Sequence, residues 1–527
     1  MVDYVIIGAG SAGCVLANRL SADASAKVVL LEAGGRDTSP FIRMPAGFFA
    51  LINSGAVDWG YHTEPQKHMD GRVLFWPRGK VLGGSSSVNG MVYIRGHASD
   101  YDTWAQLGNK GWSFDECLPY FKRAEGSELG ASAYHGGDGP LRTNAGPKAF
   151  HTLSKAWMEA GRQGNYPFTD DFNGPQQEGF GSLISTITDN QRASAARCYL
   201  HPVMNRPNLQ VITKALTSRI LVQGGRASGV EYIKDGRVHT LKADREVILS
   251  GGAINSPQLL QLSGIGDGDH LAPLGVKVVH ELKGVGQNLQ DHLAVGVKQR
   301  LTQPISVLPY TKPLKSGMVL LQYLLTKGGP GSSPGFESMA FLKSRPELIA
   351  PDLQYYILHL MYEDHGRKVI NEHGFMVYYN SLRPQSRGWI RIRSKDPLQH
   401  PAIQPNCLQA EDDVRTMRDG VKIGRDIISQ KAFAPYRGSE YGPGEAVKTD
   451  ADIDAYVRRT AESIYHPVGT CKMGQDSLAV VDDRLRVHGL TGLRVVDASI
   501  MPRVVSGNTN APTIMIAERA ADFILNG

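Results

Sequence analysis

The chain has 527 residues, 41% hydrophobic and 20% charged, with a formal net charge of +6. That length exceeds one ordinary core and calls for two domains or one large elaborated one. The charge is mildly basic and contains no dense Lys/Arg block, so a nucleic-acid-binding protein is excluded in favour of a mixed, solvated surface. The five cysteines (Cys14, Cys117, Cys198, Cys407, Cys471) form no CxxC pair, so neither a disulfide framework nor a zinc site is expected. Reduced thiols fit a cytoplasmic protein. No apolar run reaches about 18 residues, so any attachment to the inner membrane would be peripheral. No basic leader and cleavage site precede the first apolar run.

Asp3–Ile7 is a short β-branched run and reads as a buried strand. Gly8-Ala9-Gly10-Ser11-Ala12-Gly13 follows, then helical periodicity over Cys14–Leu20 and a second strand at Lys27–Leu31 ending in Glu32. Each glycine has a task. Gly8 permits the strand-to-helix turn, Gly10 lets a pyrophosphate approach the backbone, and Gly13 lets helix and strand pack closely. The helix N-terminus offers free N–H groups to a phosphate. Glu32, 19 residues after Gly13, is placed to bond both ribose hydroxyls and to disfavour a 2′-phosphate. This unit predicts a dinucleotide fold and leaves NAD and FAD both open.

Further along, Phe41, Met44, Phe48, Phe49, Leu51 and Trp59 could equally form an apolar lid or pack in a core. Arg78 to Gly90 (RGKVLGGSSSVNG) combines glycines with small hydroxyls, which suits backbone laid against a planar or phosphorylated ligand. Val247–Leu249 reads as a strand leading into Gly252-Ala253-Ile254-Asn255-Ser256-Pro257. Met318–Leu325 reads as a helix, followed by a turn-rich linker from Gly328 to Gly335. Leu353–Leu360, Gly374–Tyr379 and Gly388–Arg393 read as strands. The C-terminal Thr513–Leu525 is amphipathic at helical spacing and is expected to close the N-terminal domain; membrane binding through it is the lesser alternative.

RGKVLGGSSSVNG and GAINSPQLL resemble the two signatures of the glucose–methanol–choline (GMC) oxidoreductases. Gly284–His292 (GVGQNLQDH), Tyr465–Gly474 (YHPVGTCKMG), Val495–Pro502 (VVDASIMP) and Gly507–Thr513 (GNTNAPT) extend the resemblance over nearly the whole chain. Within the family it is nearest to bacterial membrane-associated dehydrogenases of medium-chain aliphatic alcohols, with polyethylene glycol and choline dehydrogenases somewhat further away. The resemblance implies an α/β protein: a Rossmann-like FAD-binding domain assembled from 1–100, 207–297 and 455–527. A substrate-binding domain with a sheet and helices, together with connecting segments, would take 101–206 and 298–454. It implies FAD rather than NAD, in contact with Gly8, Gly10, Ser11, Ala12, Gly13 and Glu32 in the first unit. Val81, Gly84, Asn89, Gly90, Met91 and Val92 would follow along the pyrophosphate and ring system. Thr217 would lie on the adenine side, Asp497 and Ala498 near the ribityl chain, and Asn510, Pro512 and Thr513 at the pyrimidine edge. Some relatives place a flavin-linked histidine where this chain has Val88. Valine has no nucleophilic atom, so the FAD is expected to be non-covalent. No metal is expected.

Oxidising an alcohol removes a proton from oxygen and a hydride from carbon. Flavin takes the hydride, and imidazole suits the proton. Among 16 histidines, His466 stands where the family places its active-site histidine, and Asn508 stands at the place of the family's second residue, where it would bond the alcohol oxygen. Asn510 is the alternative for that second role. His292 and His135 are expected to stabilise loops. Glu337 could pair with a trimethylammonium group, but a structural role is the stronger expectation, and no aromatic cage for such a cation is evident. The expected activity is oxidation of a primary aliphatic or aryl alcohol to the aldehyde, with electrons passed to a quinone or other acceptor. An oxidase releasing H2O2, a choline dehydrogenase, a flavin lyase and a non-catalytic flavin-binding protein are the alternatives.

Overall fold

The computed structural model describes residues 2–147 and 149–526; Met1, Lys148 and Gly527, which the expected domain ranges include, lie outside it. Two seven-stranded sheets organise the chain. In the first, Leu209–Ile212, Val28–Leu31, Val2–Ile7, Arg237–Leu249 and Leu493–Val495 run parallel in that order. These strands are short, β-branched and apolar because both faces are covered, as parallel sheets require. Val5, Ile6, Val28, Leu30, Val247, Ile248 and Leu249 are all buried. The expected strand at Val247–Leu249 is the tail of a 13-residue strand. Its first half pairs antiparallel with Arg226–Lys234, which pairs in turn with Leu216–Gln223.

The C-terminal helix Asn510–Leu525 packs against Ser11–Leu20 and Phe114–Ala124. It is buried on nearly every face, so it closes this half of the molecule and has no free face for a membrane. Glu518, fully buried, is held by Arg19, Arg123 and Tyr199.

The second sheet is antiparallel, in the order Arg437–Gly442, Leu293–Leu301, Gly374–Ser381, Leu353–Leu358, Ser338–Leu342, Gly179–Ser182. Side chains alternate across it with period two. Tyr355 and Tyr379 point to one face, where their hydroxyls donate to carbonyls of the helix Glu411–Ser429 at Gly420 and Met417. Tyr356, Leu358 and Tyr378 point to the other face, into the space between the two sheets. Leu293–Leu301 belongs wholly to this sheet, so the strand runs across the domain boundary expected at residue 297. The expected strand Gly388–Arg393 is reduced to Trp389–Arg391, paired with Ala402–Gln404.

Candidate active site

Between the sheets lies a cavity of about 440 Å³. Gly8, at φ 97°, ends the first strand in a conformation that L side chains rarely adopt. A Cβ on Gly13 would stand 1.8 Å from the Gly8 carbonyl oxygen, whereas one on Gly10 would meet nothing within 4 Å. Gly13 therefore serves packing, and Gly10 leaves its surface open to the cavity. Three helices, Ser11–Leu20, Gly252–Leu262 and Asn510–Leu525, begin at the cavity wall. None has a side-chain cap or an acidic residue in its first turn. The Gly252 amide at the start of the second helix is taken by Asp497, while the starts of Ser11–Leu20 and Asn510–Leu525 offer N–H groups and positive dipole ends to the cavity, which suits a pyrophosphate and an electron-rich ring.

Glu32 lies at one end of this space. Its carboxylate accepts from the Ala9 and Gly34 amides at 2.9 and 2.7 Å, and burial pushes its pKa up to about 7 against those bonds. Nearby, the buried hydroxyls of Thr217 and Ser250 have no partner within the protein, and both residues line the cavity. A buried hydroxyl without a partner costs stability, so these atoms are suited to a polar ligand. Together with the open Gly10 surface and the two open helix ends, they fit a dinucleotide such as FAD.

The expected contacts Gly8, Gly10, Ser11, Ala12, Glu32, Gly84, Asn89, Gly90, Met91, Val92, Thr217, Asp497, Ala498, Asn510 and Thr513 all line the cavity. Gly13, Val81 and Pro512 do not. Val81 instead packs with Ile42 and Leu51, and Pro512 is buried in the first turn of its helix. The Asp497 carboxylate is already engaged by the Gly252 and Ser499 amides and the Ser256 hydroxyl, so it orients the helix Gly252–Leu262. Asn510 accepts from the Ser11 hydroxyl at 2.7 Å, which ties two of the helix ends together and occupies the residue considered as an alternative to Asn508.

His466 and Asn508 meet at the other end, where His466 Nε2 and Asn508 Nδ2 are 3.2 Å apart. The Asn508 Oδ1 accepts from Gln354 and Tyr356, each at 3.2 Å, so its amide nitrogen faces the histidine. The His466 amide donates to Asp291 at 2.7 Å. The preceding Tyr465 sits at φ 69°, strained for a bulky residue. Its carbonyl accepts from the half-buried Arg78 and its amide donates to Ser463. Behind His466 stands His292, expected only to stabilise a loop; its Nδ1 lies 3.0 Å from His466 Nδ1. Burial drives the His466 pKa well below its usual value, with His292 and Arg78 adding to the effect.

Gln354 and Tyr356 carry no local sequence signature of a site, and the motif that ends in His292 does not announce its contact with His466. His365 was also missed: it lines the cavity, and its Nδ1 lies 2.7 Å from the Tyr465 hydroxyl. His135 is a loop residue, as expected, between Glu125 and Asp171. Glu337 accepts from the His151 amide at 2.6 Å and lies outside the cavity wall. Of the lid candidates, Phe48, Phe49 and Trp59 line the cavity, while Phe41, Met44 and Leu51 pack elsewhere. Val88 is part of the wall and offers no atom for a covalent link.

The GMC oxidoreductase family models match residues 2–294 and 384–517. The mitochondrial choline dehydrogenase of Mus musculus is 52% identical over 530 residues, covering 99% of this chain and 89% of its own. The oxygen-dependent choline dehydrogenase of Ectopseudomonas mendocina is 48% identical over 528 residues, covering 99% and 94%. Among solved structures, pyridoxine 4-oxidase from Mesorbium loti superposes with a TM-score of 0.91 at 32% identity, covering 99% of this chain and 98% of that one.

Proposed function

The chain belongs to the GMC oxidoreductase family, FAD-dependent enzymes that oxidise CH–OH donors, and from that premise we propose that it oxidises a neutral primary alcohol, aliphatic or aryl, to the aldehyde with His466 as base and Asn508 as its partner. The observation that carries this reading is the paired Nε2 of His466 and Nδ2 of Asn508 in the cavity wall. Two atoms 3.2 Å apart can both reach one alcohol oxygen. Asn508 donates to that oxygen and stabilises the charge that develops on it. His466 Nε2 accepts the hydroxyl proton. FAD, when bound, supplies the acceptor for the hydride from the carbinol carbon.

The residues proposed to hold FAD are those named above along the cavity, with Glu32 toward the ribose and the two open helix ends toward the pyrophosphate and ring. Attachment is non-covalent, in keeping with Val88. The FAD-binding domain is proposed to comprise 1–100, 207–297 and 455–527, with 101–206 and 298–454 forming the substrate-binding domain and connecting segments and the strand Leu293–Leu301 bridging the two.

The alcohol end of the cavity is apolar and aromatic, with Phe48, Phe49, Met91, Phe336, Tyr356, Tyr362 and Tyr378 in its wall. Among the described residues, the only acidic side chains lining the cavity are Glu32 and Asp497, and both are engaged by backbone amides. The half-buried Arg78 stands in the wall at the His466 end. Glu462 is buried behind the wall, its carboxylate taken by the His365 amide. A quaternary ammonium would enter without an acidic counter-charge, so only the aromatic faces would offset its desolvation. Choline is the second reading, and what favours it is the identity to the choline dehydrogenases.

Electrons are proposed to pass to a quinone or another carrier at a membrane surface; an oxidase using O2 is the alternative. Among the described residues, no helix is long and apolar enough to cross a membrane, so attachment would be peripheral. The test is anaerobic mixing of the flavin-loaded protein with aliphatic alcohols, benzyl alcohol and choline. Bleaching by the neutral alcohols but not by choline supports the reading; bleaching by choline alone overturns it. The rate at which colour returns in air separates oxidase from dehydrogenase.

A further inference from the structure

In the fourteen-residue helix Pro313–Thr326 only Tyr323 is buried. Leu314, Met318, Leu321 and Leu325 are 79, 62, 59 and 77% exposed. Their spacing of four, three and four residues puts them on one face, and Leu324, also exposed, widens the stripe. Such a stripe is larger than the scattered apolar residues common on protein surfaces, and a contiguous patch marks an interaction site.

The charges carried by the helix and its flanking chain have one sign. From Leu301 to Phe336 there is no acidic residue, whereas Lys312 and Lys315 stand at the start of the helix and Lys327 just after its end. The helix is anchored from below. The Tyr323 hydroxyl donates to the carbonyls of Arg43 and Asn190, and the following turn packs Gly331 against Met44. It therefore sits on the segment that supplies Phe48, Phe49 and Ile52 to the cavity wall.

We propose that this helix face docks the enzyme on an anionic lipid bilayer, with the leucine stripe in the acyl boundary and Lys315 and Lys327 among the headgroups. This rests on the peripheral-attachment reading above and assigns it to one surface. Interfacial helices carry this combination of an apolar face and flanking lysines. A second copy of the chain fits less well. Two such helices pairing in either direction would bring lysines of one copy near lysines of the other, and fourteen residues are short for a self-sufficient coiled coil. Docking here would put the apolar wall of the alcohol cavity beside the phase in which long-chain alcohols and quinones dissolve.

The test is flotation of the flavin-loaded full chain with vesicles of phosphatidylcholine alone and of equimolar phosphatidylcholine and phosphatidylglycerol. The wild type is compared with a Leu314→Ser/Leu321→Ser/Leu325→Ser variant and a Lys315→Glu/Lys327→Glu variant. All these positions are exposed, so turnover of a water-soluble alcohol should be unchanged. The wild type should float with the anionic vesicles, and each variant should partition about tenfold less or worse. If the wild type floats and the serine variant floats equally well, this helix is not the docking face, although the peripheral reading survives. A wild type that stays with the soluble fraction overturns both. A concentration-dependent dimer in sedimentation velocity that the serine variant abolishes overturns the bilayer as occupant and assigns the face to a second copy.

Discussion

His292 and His466 face each other through their Nδ1 atoms, 3.0 Å apart, with their rings perpendicular. The other nitrogen of His292 lies 3.2 Å from the Leu382 carbonyl. A carbonyl only accepts, so His292 Nε2 carries the proton. Burial holds the His292 pKa down to about 4, so the ring is neutral and its Nδ1 accepts. His466 must then donate from Nδ1, which leaves the lone pair on its Nε2, beside Asn508. The carbonyl of Leu382 thus sets the tautomer of the base through one intervening ring. Replacing the fully buried His292 with Leu roughly keeps the volume but removes the acceptor. The rate of anaerobic flavin reduction should fall roughly 10²-fold, while KM and flavin content change little. An unchanged reduction rate would show that the tautomer is set some other way.

Because burial depresses the His466 pKa below 6.5, the base stays unprotonated through neutral and mildly acidic solution. The acid limb of kcat/KM, which reports the free enzyme, should therefore lie below pH 6.5. Asn508→Asp places a carboxylate against His466 Nε2. That stabilises the imidazolium and should move the limb upward by at least about one pH unit, with a slower plateau because the donor to the alcohol oxygen is lost. A pH profile that the substitution leaves in place would argue against direct coupling of the two side chains.

The cofactor end of this site was legible because local chemistry dictates it. A strand that must turn sharply requires Gly8, close packing requires Gly13, and a carboxylate after the second strand reaches the same space whatever the rest of the chain does. His466 and Asn508 were legible through the motifs around them. What could not be read are the residues that orient them. Gln354 and Tyr356 come from a strand whose sequence says only that alternate positions face opposite ways; which face meets Asn508 depends on pairing with Gly374–Ser381. The contact of His292 with His466 is not legible locally because the two lie 174 residues apart in sequence. The helix at Met318–Leu325 was anticipated, but its exposure depends on what the fold leaves uncovered, and periodicity alone cannot tell an unpartnered apolar face from a buried one.

Glu32 makes cofactor binding pH-dependent. Burial raises its pKa to about 7 without a ligand, and ribose hydroxyls donate best to the ionised form. FAD should therefore displace a proton from Glu32 at acid pH. Its affinity should be highest above pH 7 and weaken as pH falls, by up to about tenfold per unit. Glu32→Gln should bind FAD more weakly at neutral pH and with a flat pH dependence. Titration followed by flavin fluorescence checks both; a wild-type affinity that does not change on acidification would remove Glu32 from the ribose contact.

His135 governs stability at the opposite pH extreme. Its ring bridges Glu125 and Asp171, each at 2.8 Å, and Arg95 shares Glu125 at 2.6 Å. Burial opposes the charge on His135, but the bonds to Asp171 and Glu125 outweigh it and push the pKa up to about 9. The folded value therefore exceeds the unfolded one of 6.5. The stabilisation is fully present below about pH 6.5 and is lost as pH rises through about 9. His135→Gln cannot carry the charge, so it should cost about 1–3 kcal/mol at mildly acidic pH, and the gap to wild type should close toward pH 9 and above. Urea unfolding of the flavin-loaded protein, followed across that range, measures the gap directly. A deficit that stays constant with pH would mean that His135 acts through its shape and neutral hydrogen bonds rather than its charge.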